Sequence, residues 1–185
     1  ALRDARAAWD WLVRTGHDPA RIALGGDSAG GGLALALLAD LTADRQRLPG
    51  AMVLFSPWCD LTGAAPSHRT NAERDAMLPA ERLPDVVRFC LGDAPDALVP
   101  EDPRVSPLFA RFRRPPPALV FASMQEILLD DAIAITERLR RAESDPVLEL
   151  RQTLPHAWPI FQGWLREADA CIARTGAFLR EMIPD

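Results

Sequence analysis

The chain has 185 residues, a net charge of −5 and 48% hydrophobic residues, which is ordinary for one soluble globular domain. The acidic balance argues against nucleic acid as a partner, and no apolar run reaches the roughly 18 residues that a membrane span needs. Its three cysteines (Cys59, Cys90, Cys171) are widely spaced and give no metal-ligand spacing. Because unpaired thiols are typical of reducing compartments, we expect a cytoplasmic protein without a bound metal.

Hydrophobic periodicity predicts strands and helices in alternation. The predicted elements are a helix from Leu2 to about Val13, a strand from Arg21 to Leu24, a helix from Ala29 to about Ala43, a strand over 51–55, a helix over 80–91, a strand over 118–122, a helix over 131–142, a strand over 147–151 and a helix from about Pro159 to Met182. Such alternation indicates βαβ units, and therefore an α/β fold with four parallel strands. Ligands of such sheets bind beyond the carboxyl ends of the strands.

The regular pattern is interrupted between residues 56 and 112, where prolines and polar residues dominate. A long insertion in a compact α/β chain is usually functional. We therefore divide the chain into an α/β half over 1–55, an insertion over 56–112 that we expect to be functional, and a second α/β half over 113–185.

A glycine-flanked serine follows the strand at 21–24. Gly26-Asp27-Ser28-Ala29-Gly30 matches Gly-x-Ser-x-Gly and lies between a predicted strand and a predicted helix, which is the context of a nucleophile elbow. The two glycines avoid side-chain collisions in so tight a turn. This arrangement would expose the Ser28 hydroxyl and aim the Ala29 amide at a developing oxyanion.

A glycine-rich turn could instead hold a phosphate. A P-loop requires Lys after its last glycine, where this chain has Gly32 after Gly31. The dinucleotide fingerprint counted from Gly30 would need a third glycine at the position of Leu35. The elbow is therefore the better interpretation, and a purely structural turn is the alternative.

A serine nucleophile needs a base, and the base needs an anion that orients it. In α/β hydrolases the chain order is Ser, then Asp or Glu, then His. His156 follows the last predicted strand and is the expected base, whereas His17 precedes the serine and His68 lies in the insertion. After the strand at 118–122, Glu126 is the favoured acid and Asp130 is the reserve.

Cys59 could be mistaken for a second nucleophile. A packed or incidental cysteine is the better interpretation, since the elbow already supplies one.

The motifs together resemble the hormone-sensitive-lipase-like carboxylesterases of the α/β-hydrolase fold, also called bacterial family IV. The matching segments, in family order, are Gly26-Asp27-Ser28-Ala29-Gly30-Gly31, Ser56-Pro57-Trp58-Cys59-Asp60-Leu61-Thr62, Asp102-Pro103-Arg104-Val105-Ser106-Pro107-Leu108, Glu126-Ile127-Leu128-Leu129-Asp130-Asp131 and Pro155-His156. Many members have Asp-Pro-Leu where this chain has Glu126-Ile127-Leu128. The resemblance covers the carboxyl-terminal half to two-thirds of a member.

This resemblance implies a carboxylic ester hydrolase acting on short to medium acyl esters through an acyl-enzyme. Ser28 would be the nucleophile, Glu126 the acid, His156 the base and Ala29 an oxyanion-hole donor, with no cofactor. The insertion over 56–112 would form part of a lid.

The resemblance also implies that parts of the family fold are missing. The family's His-Gly-Gly-Gly loop and earlier strands precede the elbow and are not found here, so we expect a truncated chain. The strand from Arg21 to Leu24 would then be an apolar edge, and such edges recruit other strands. We therefore expect either self-association along this edge or a missing N-terminal segment that pairs with it.

Other functions remain open at this stage. A catalytically impaired fragment, or a non-catalytic ligand-binding or assembly module, would keep the fold without the activity. A peptidase or amidase would keep the triad and differ only in the leaving group.

Overall fold

Four parallel strands form the centre of the computed structural model, which describes residues 1–92 and 97–183. They are β1 (Ala23–Asp27), β2 (Ala51–Phe55), β3 (Ala118–Ser123) and β4 (Pro146–Arg151). Each strand pairs in parallel with the next one along the chain, so β1 and β4 are the sheet edges in this described part. The predicted parallel α/β sheet is therefore confirmed.

Helices connect the strands and cover the sheet. They are α1 (Leu2–Arg14), α2 (Ala29–Ala43), α3 (Ser67–Thr70), α4 (Leu83–Leu91), α5 (Leu129–Arg141) and α6 (Arg166–Met182). Over the two described ranges, no helix is both long and apolar enough to cross a bilayer.

The two central strands are buried on both faces, as their continuous apolar sequences predict. On one face, Met52 and Val120 pack against side chains of α2 and α5, including Leu38 and Ile135. On the other face, Phe121 and its neighbours pack against α6 and the buried Trp158. Helices therefore cover both faces of β2 and β3, and helix α1 packs on α2 through Trp9.

Strand β1 differs from its prediction at both ends. Pro19–Arg21 form a 3-10 turn capped by the Asp18 side chain, which accepts a hydrogen bond from the Ala20 amide, so the strand begins only at Ala23. It then continues through two glycines to Asp27 and leads directly into Ser28. Alternate residues of β1 are exposed, because successive side chains of a strand point to opposite faces and one face of β1 is open. In the described chain, β1 pairs with β2 alone.

Two predicted helices begin later than expected. The last one was expected from about Pro159, but Trp158–Phe161 form a 3-10 turn and α6 starts at Arg166. Gly163 has a φ of +84°, which interrupts the helix between them. The helix predicted over 80–91 likewise begins as a 3-10 turn at Ala80–Arg82 and becomes α4 at Leu83.

Candidate active site

Ser28 lies in the tight turn that joins β1 to α2. Its φ of 51° and ψ of −123° are unfavourable for a residue with a side chain, and such strain clusters at functional sites. The turn is held against the end of β2: the Ser28 amide donates to the Phe55 carbonyl at 2.9 Å, and the Trp58 amide donates to the Ser28 carbonyl at 2.9 Å. A Cβ on Gly26 would lie 2.3 Å from the Gly30 carbonyl oxygen, so the turn tolerates no side chain there.

Ala29 is the first residue of α2 and is exposed. An amide at the first position of a helix has no intrahelical acceptor and lies at the positive end of the helix dipole. The Ala29 N–H is therefore available to an anion that forms beside Ser28.

His156 and Glu126 form a buried pair at the carboxyl ends of the strands. Nδ1 of His156 lies 2.8 Å from Oε2 of Glu126, and the two residues are 4% and 1% exposed. The other carboxylate oxygen, Oε1, accepts a hydrogen bond from the Ser123 amide at 2.9 Å. Because Nδ1 donates to the carboxylate, Nε2 is the ring nitrogen that remains for proton transfer.

The end of β2 connects the elbow to the histidine loop. Phe55 accepts the hydrogen bond from Ser28, and the next residue, Ser56, accepts one from the Ala157 amide through its hydroxyl at 3.0 Å. Ser56 is fully buried and has a φ of 47°. Phe55, the last residue of β2, and Ser56, the residue after it, thus hold the backbone on both sides of the site. Phe55 binds Ser28, and Ser56 binds the residue next to His156.

Asp130, the reserve candidate for the acid of the triad, has a different hydrogen-bond partner. Its Oδ2 accepts a hydrogen bond from the Ser67 amide at 2.7 Å, and Glu126 is the carboxylate that contacts His156. Because α5 begins at Leu129, Asp130 is in its first turn instead of before the helix.

His68 is paired with a different carboxylate. Its Nε2 lies 3.2 Å from Oδ2 of Asp131, whose Oδ1 accepts hydrogen bonds from the amides of Cys59 and Asp60. Burial raises the pKa of Asp131, while His68 and the two amides oppose that effect. His68 therefore belongs to a buried network with Asp131, which differs from the pair formed by His156 and Glu126.

Cys59 is fully buried. Burial and the nearby carboxylates of Asp131 and Asp60 raise the pKa of its thiol well above the usual range. Since the thiolate is the nucleophilic form of cysteine, Cys59 is unsuited to nucleophilic attack.

Two residues that form hydrogen bonds with the backbone of the site, Ser56 and Asn71, are not predicted by the sequence to do so. In the sequence, Ser56 stands out only as part of a family motif, although its hydroxyl accepts a hydrogen bond from the amide of the residue after His156. Asn71, the single asparagine of the chain, lies in the irregular insertion and donates to the carbonyl of Glu126. No periodicity or spacing in the sequence indicates either contact.

The comparison with known families agrees with this geometry. A family model described as the alpha/beta hydrolase fold matches residues 1–160. The chain therefore belongs to the α/β-hydrolase family.

Among curated relatives, an acetyl-hydrolase of Streptomyces hygroscopicus is 35% identical over 97% of this chain and 59% of its own length. An esterase of Acinetobacter venetianus is 35% identical over 90% of this chain and 54% of its own length. The chain thus spans little more than half the length of these relatives.

Among solved structures, an esterase of the bacterial hormone-sensitive lipase family superposes with a TM-score of 0.93 at 43% identity, covering 98% of this chain and 60% of that one. The esterase EstE5, soaked with p-nitrophenyl butyrate, superposes with a TM-score of 0.92 at 32% identity, covering 100% of this chain and 61% of that one. The resemblance to this group of esterases inferred from the motifs is thereby confirmed.

Proposed function

We propose that the protein is a carboxylic ester hydrolase in which Ser28 is the nucleophile, His156 the base and Glu126 the orienting acid. The observation that carries this proposal is the buried 2.8 Å contact between His156 and Glu126, at the same end of the sheet as the strained elbow of Ser28. The esterases among its relatives support the same reaction class.

In the first half of the reaction, Nε2 of His156 accepts the proton of the Ser28 hydroxyl while Oγ attacks the ester carbonyl carbon. The carboxylate of Glu126 holds the Nδ1–H and stabilises the imidazolium that forms. The carbonyl oxygen becomes an oxyanion, and the Ala29 amide donates a hydrogen bond to it. Collapse of this intermediate breaks the ester bond, and His156 gives its proton to the departing alcohol, leaving an acyl-enzyme.

In the second half, His156 takes a proton from water as the water oxygen attacks the acyl carbon. Collapse of the second tetrahedral intermediate returns the electron pair to Oγ of Ser28, which regains its proton from His156. The products are a carboxylic acid and the free enzyme.

The proposed substrates are esters of short to medium acyl chains. The names of the relatives point the same way, since they include an acetyl-hydrolase and an ethyl acetate hydrolase. A cleft of about 430 Å³ between α4 and the segment after β2 is lined by apolar residues such as Leu61, Leu83 and Val87. The cleft lies within the insertion over 56–112, which we propose to be part of a lid.

We also propose that polypeptide beyond these 185 residues completes the site. Strand β1 presents an open edge in the described chain, and the oxyanion donor proposed for the elbow is the amide of Ala29, the first residue of α2. The greater length of the relatives favours an additional segment that pairs with β1 and brings a second donor. Self-association along β1 is the alternative when that segment is absent.

The three cysteines form no disulfide, which supports the proposal that the protein functions in a reducing compartment such as the cytoplasm.

Replacing Ser28 with Ala tests the proposed function. In the natural full-length protein, Ser28→Ala should abolish hydrolysis of p-nitrophenyl acetate and butyrate, since loss of a serine nucleophile costs about 10⁶ in kcat in a well-studied protease. Circular dichroism and thermal unfolding of the variant provide the control for folding. A folded Ser28→Ala variant that hydrolyses the esters at the wild-type rate would exclude Ser28 as the nucleophile.

A further inference from the structure

A short segment of the insertion, residues 67–75, lies along the loop that carries Glu126. We call residues 67–75 the clamp segment and residues 124–128, between β3 and α5, the acid loop. Polar side chains of the clamp segment bind the backbone of the acid loop and the first turn of α5. The side chains concerned are Ser67, His68, Asn71 and Asp75.

The contacts concentrate on the peptide unit between Glu126 and Ile127. The side-chain amide of Asn71 donates to the Glu126 carbonyl at 2.9 Å, and the Ile127 amide donates to Oδ2 of Asp75 at 2.8 Å. Asn71 also donates to the Met124 carbonyl at 3.1 Å. Asn71 is 4% exposed, so water has little access to replace these bonds.

The clamp segment is itself fixed to the start of α5. The Ser67 hydroxyl donates to the Ile127 carbonyl at 2.6 Å and accepts from the Asp130 amide at 3.1 Å. Next to it, His68 pairs with Asp131. These bonds hold the clamp segment in place independently of Asn71, so the backbone that carries Asn71 is itself fixed.

Glu126 depends on this support because it lies in a loop. Its carboxylate is held by the Ser123 amide and by His156, but both contacts require the backbone of Glu126 to stay in place. A displacement of about 1 Å in a catalytic arrangement can cost about 10²-fold in rate. The bonds to the peptide unit after Glu126 oppose such a displacement.

We propose that Asn71 is a positioning residue for the acid of the triad: it fixes the backbone of Glu126 so that the carboxylate meets Nδ1 of His156. This inference rests on the proposed function, because it assigns Asn71 a role in the same reaction. Asn71 acts through Glu126 and does not touch the substrate.

The test uses Asn71→Leu in the natural full-length protein, since Leu has a similar volume and no donor. Asn71→Ser is the milder second variant, because its hydroxyl can still donate and leaves room for a water. Glu73→Gln is the matched control, as Glu73 lies in the same segment and is exposed. The concentration of reactive Ser28 is determined by titration with a p-nitrophenyl phosphonate, so that kcat refers to folded, competent sites only.

We expect Asn71→Leu to lower kcat per titrated site by about 10- to 100-fold, with KM little changed. The kcat of Asn71→Ser should fall between those of Asn71→Leu and the wild type, and that of Glu73→Gln should match the wild type.

In a Glu126→Gln background, the effect of Asn71→Leu on kcat should shrink to less than about 2-fold, since the effects of residues that act through one another are not additive. An equal effect of Asn71→Leu in both backgrounds would overturn the proposal, as would a lowered melting temperature with unchanged kcat per titrated site.

A second measurement does not depend on activity. An imidazole Nδ1 proton hydrogen-bonded to a carboxylate gives a far-downfield proton resonance, which His156→Ala identifies by its loss. This resonance should shift or disappear in Asn71→Leu and persist in Glu73→Gln; its persistence unchanged in Asn71→Leu would contradict the proposal. If Ser28→Ala retains full ester hydrolysis, the proposed function fails, and the resonance still decides whether Asn71 positions Glu126.

Discussion

Glu126 and Asp130 lie four positions apart in the chain, yet their carboxylates have different partners. Glu126 contacts His156, whereas Asp130 accepts a hydrogen bond from the Ser67 amide and helps to hold the insertion against α5. The difference arises because Glu126 lies in the loop directly after β3, while Asp130 is already in the first turn of the helix. Position relative to the strand end therefore separates the two acids.

This difference gives a matched pair of substitutions. Glu126→Gln should lower kcat for p-nitrophenyl esters by about 10²–10⁴-fold, because loss of the orienting carboxylate costs about 10⁴ in a serine protease. Asp130→Asn keeps an acceptor for the Ser67 amide and should leave kcat close to the wild-type value. Steady-state kinetics of both variants would show the opposite order if Asp130 were the acid.

At the scale of elements, the elbow depends on close backbone packing between β1 and α2. A Cβ at Gly26 would meet the Gly30 carbonyl at 2.3 Å, whereas a Cβ at Gly30 would have its nearest neighbour, Oδ1 of Asp27, at 4.0 Å. The two glycines of the same motif are therefore required to different degrees.

Alanine substitutions at these two glycines should differ in their effects on the free energy of unfolding. Gly26→Ala should lower it by about 1–3 kcal/mol or more, since the added methyl collides with backbone that cannot move aside. Gly30→Ala should leave it unchanged or raise it by up to about 1 kcal/mol, because Ala is the better helix former. Urea unfolding of both variants measures the difference, and equal losses would contradict the packing described here.

The elements also show which features of the sequence are informative. The apolar run over 51–55 has the bounds of β2, and the helix predicted from Ala29 to Ala43 matches α2, because continuous burial and a Gly-rich start leave a clear pattern. The predicted start of α6 was wrong, because the helix is interrupted at Gly163. The positive φ of this residue cannot be inferred from the spacing of apolar residues. The contacts of Asn71 could not be predicted from the sequence either, because they join residues more than 50 positions apart.

For the whole molecule, the open edge of β1 is the feature with the widest consequence. The α/β-hydrolase relatives are longer, and the chain spans 54–61% of those compared above. Ser28 directly follows this edge strand, so a segment that pairs with β1 would lie close to the proposed nucleophile.

If a further segment pairs with β1, as proposed, the 185-residue chain in isolation should behave differently from the longer protein. We expect the isolated chain to self-associate in sedimentation experiments, because an unpaired edge strand recruits another strand. Its ester hydrolysis should be slower by at least about 10²-fold, since the loss of one oxyanion donor has a cost of that size. An isolated chain that is monomeric and as active as the full-length protein would show that β1 needs no partner.

The central claim is that Ser28 is the nucleophile, and covalent labelling tests it most directly. The full-length protein is treated with a p-nitrophenyl alkylphosphonate, which transfers its phosphonyl group to an activated serine, and the labelled peptide is identified by mass spectrometry. The account predicts one phosphonyl group on Ser28, no label in Ser28→Ala and much slower labelling in His156→Ala. Stoichiometric labelling at another residue, with Ser28 unmodified, would contradict it.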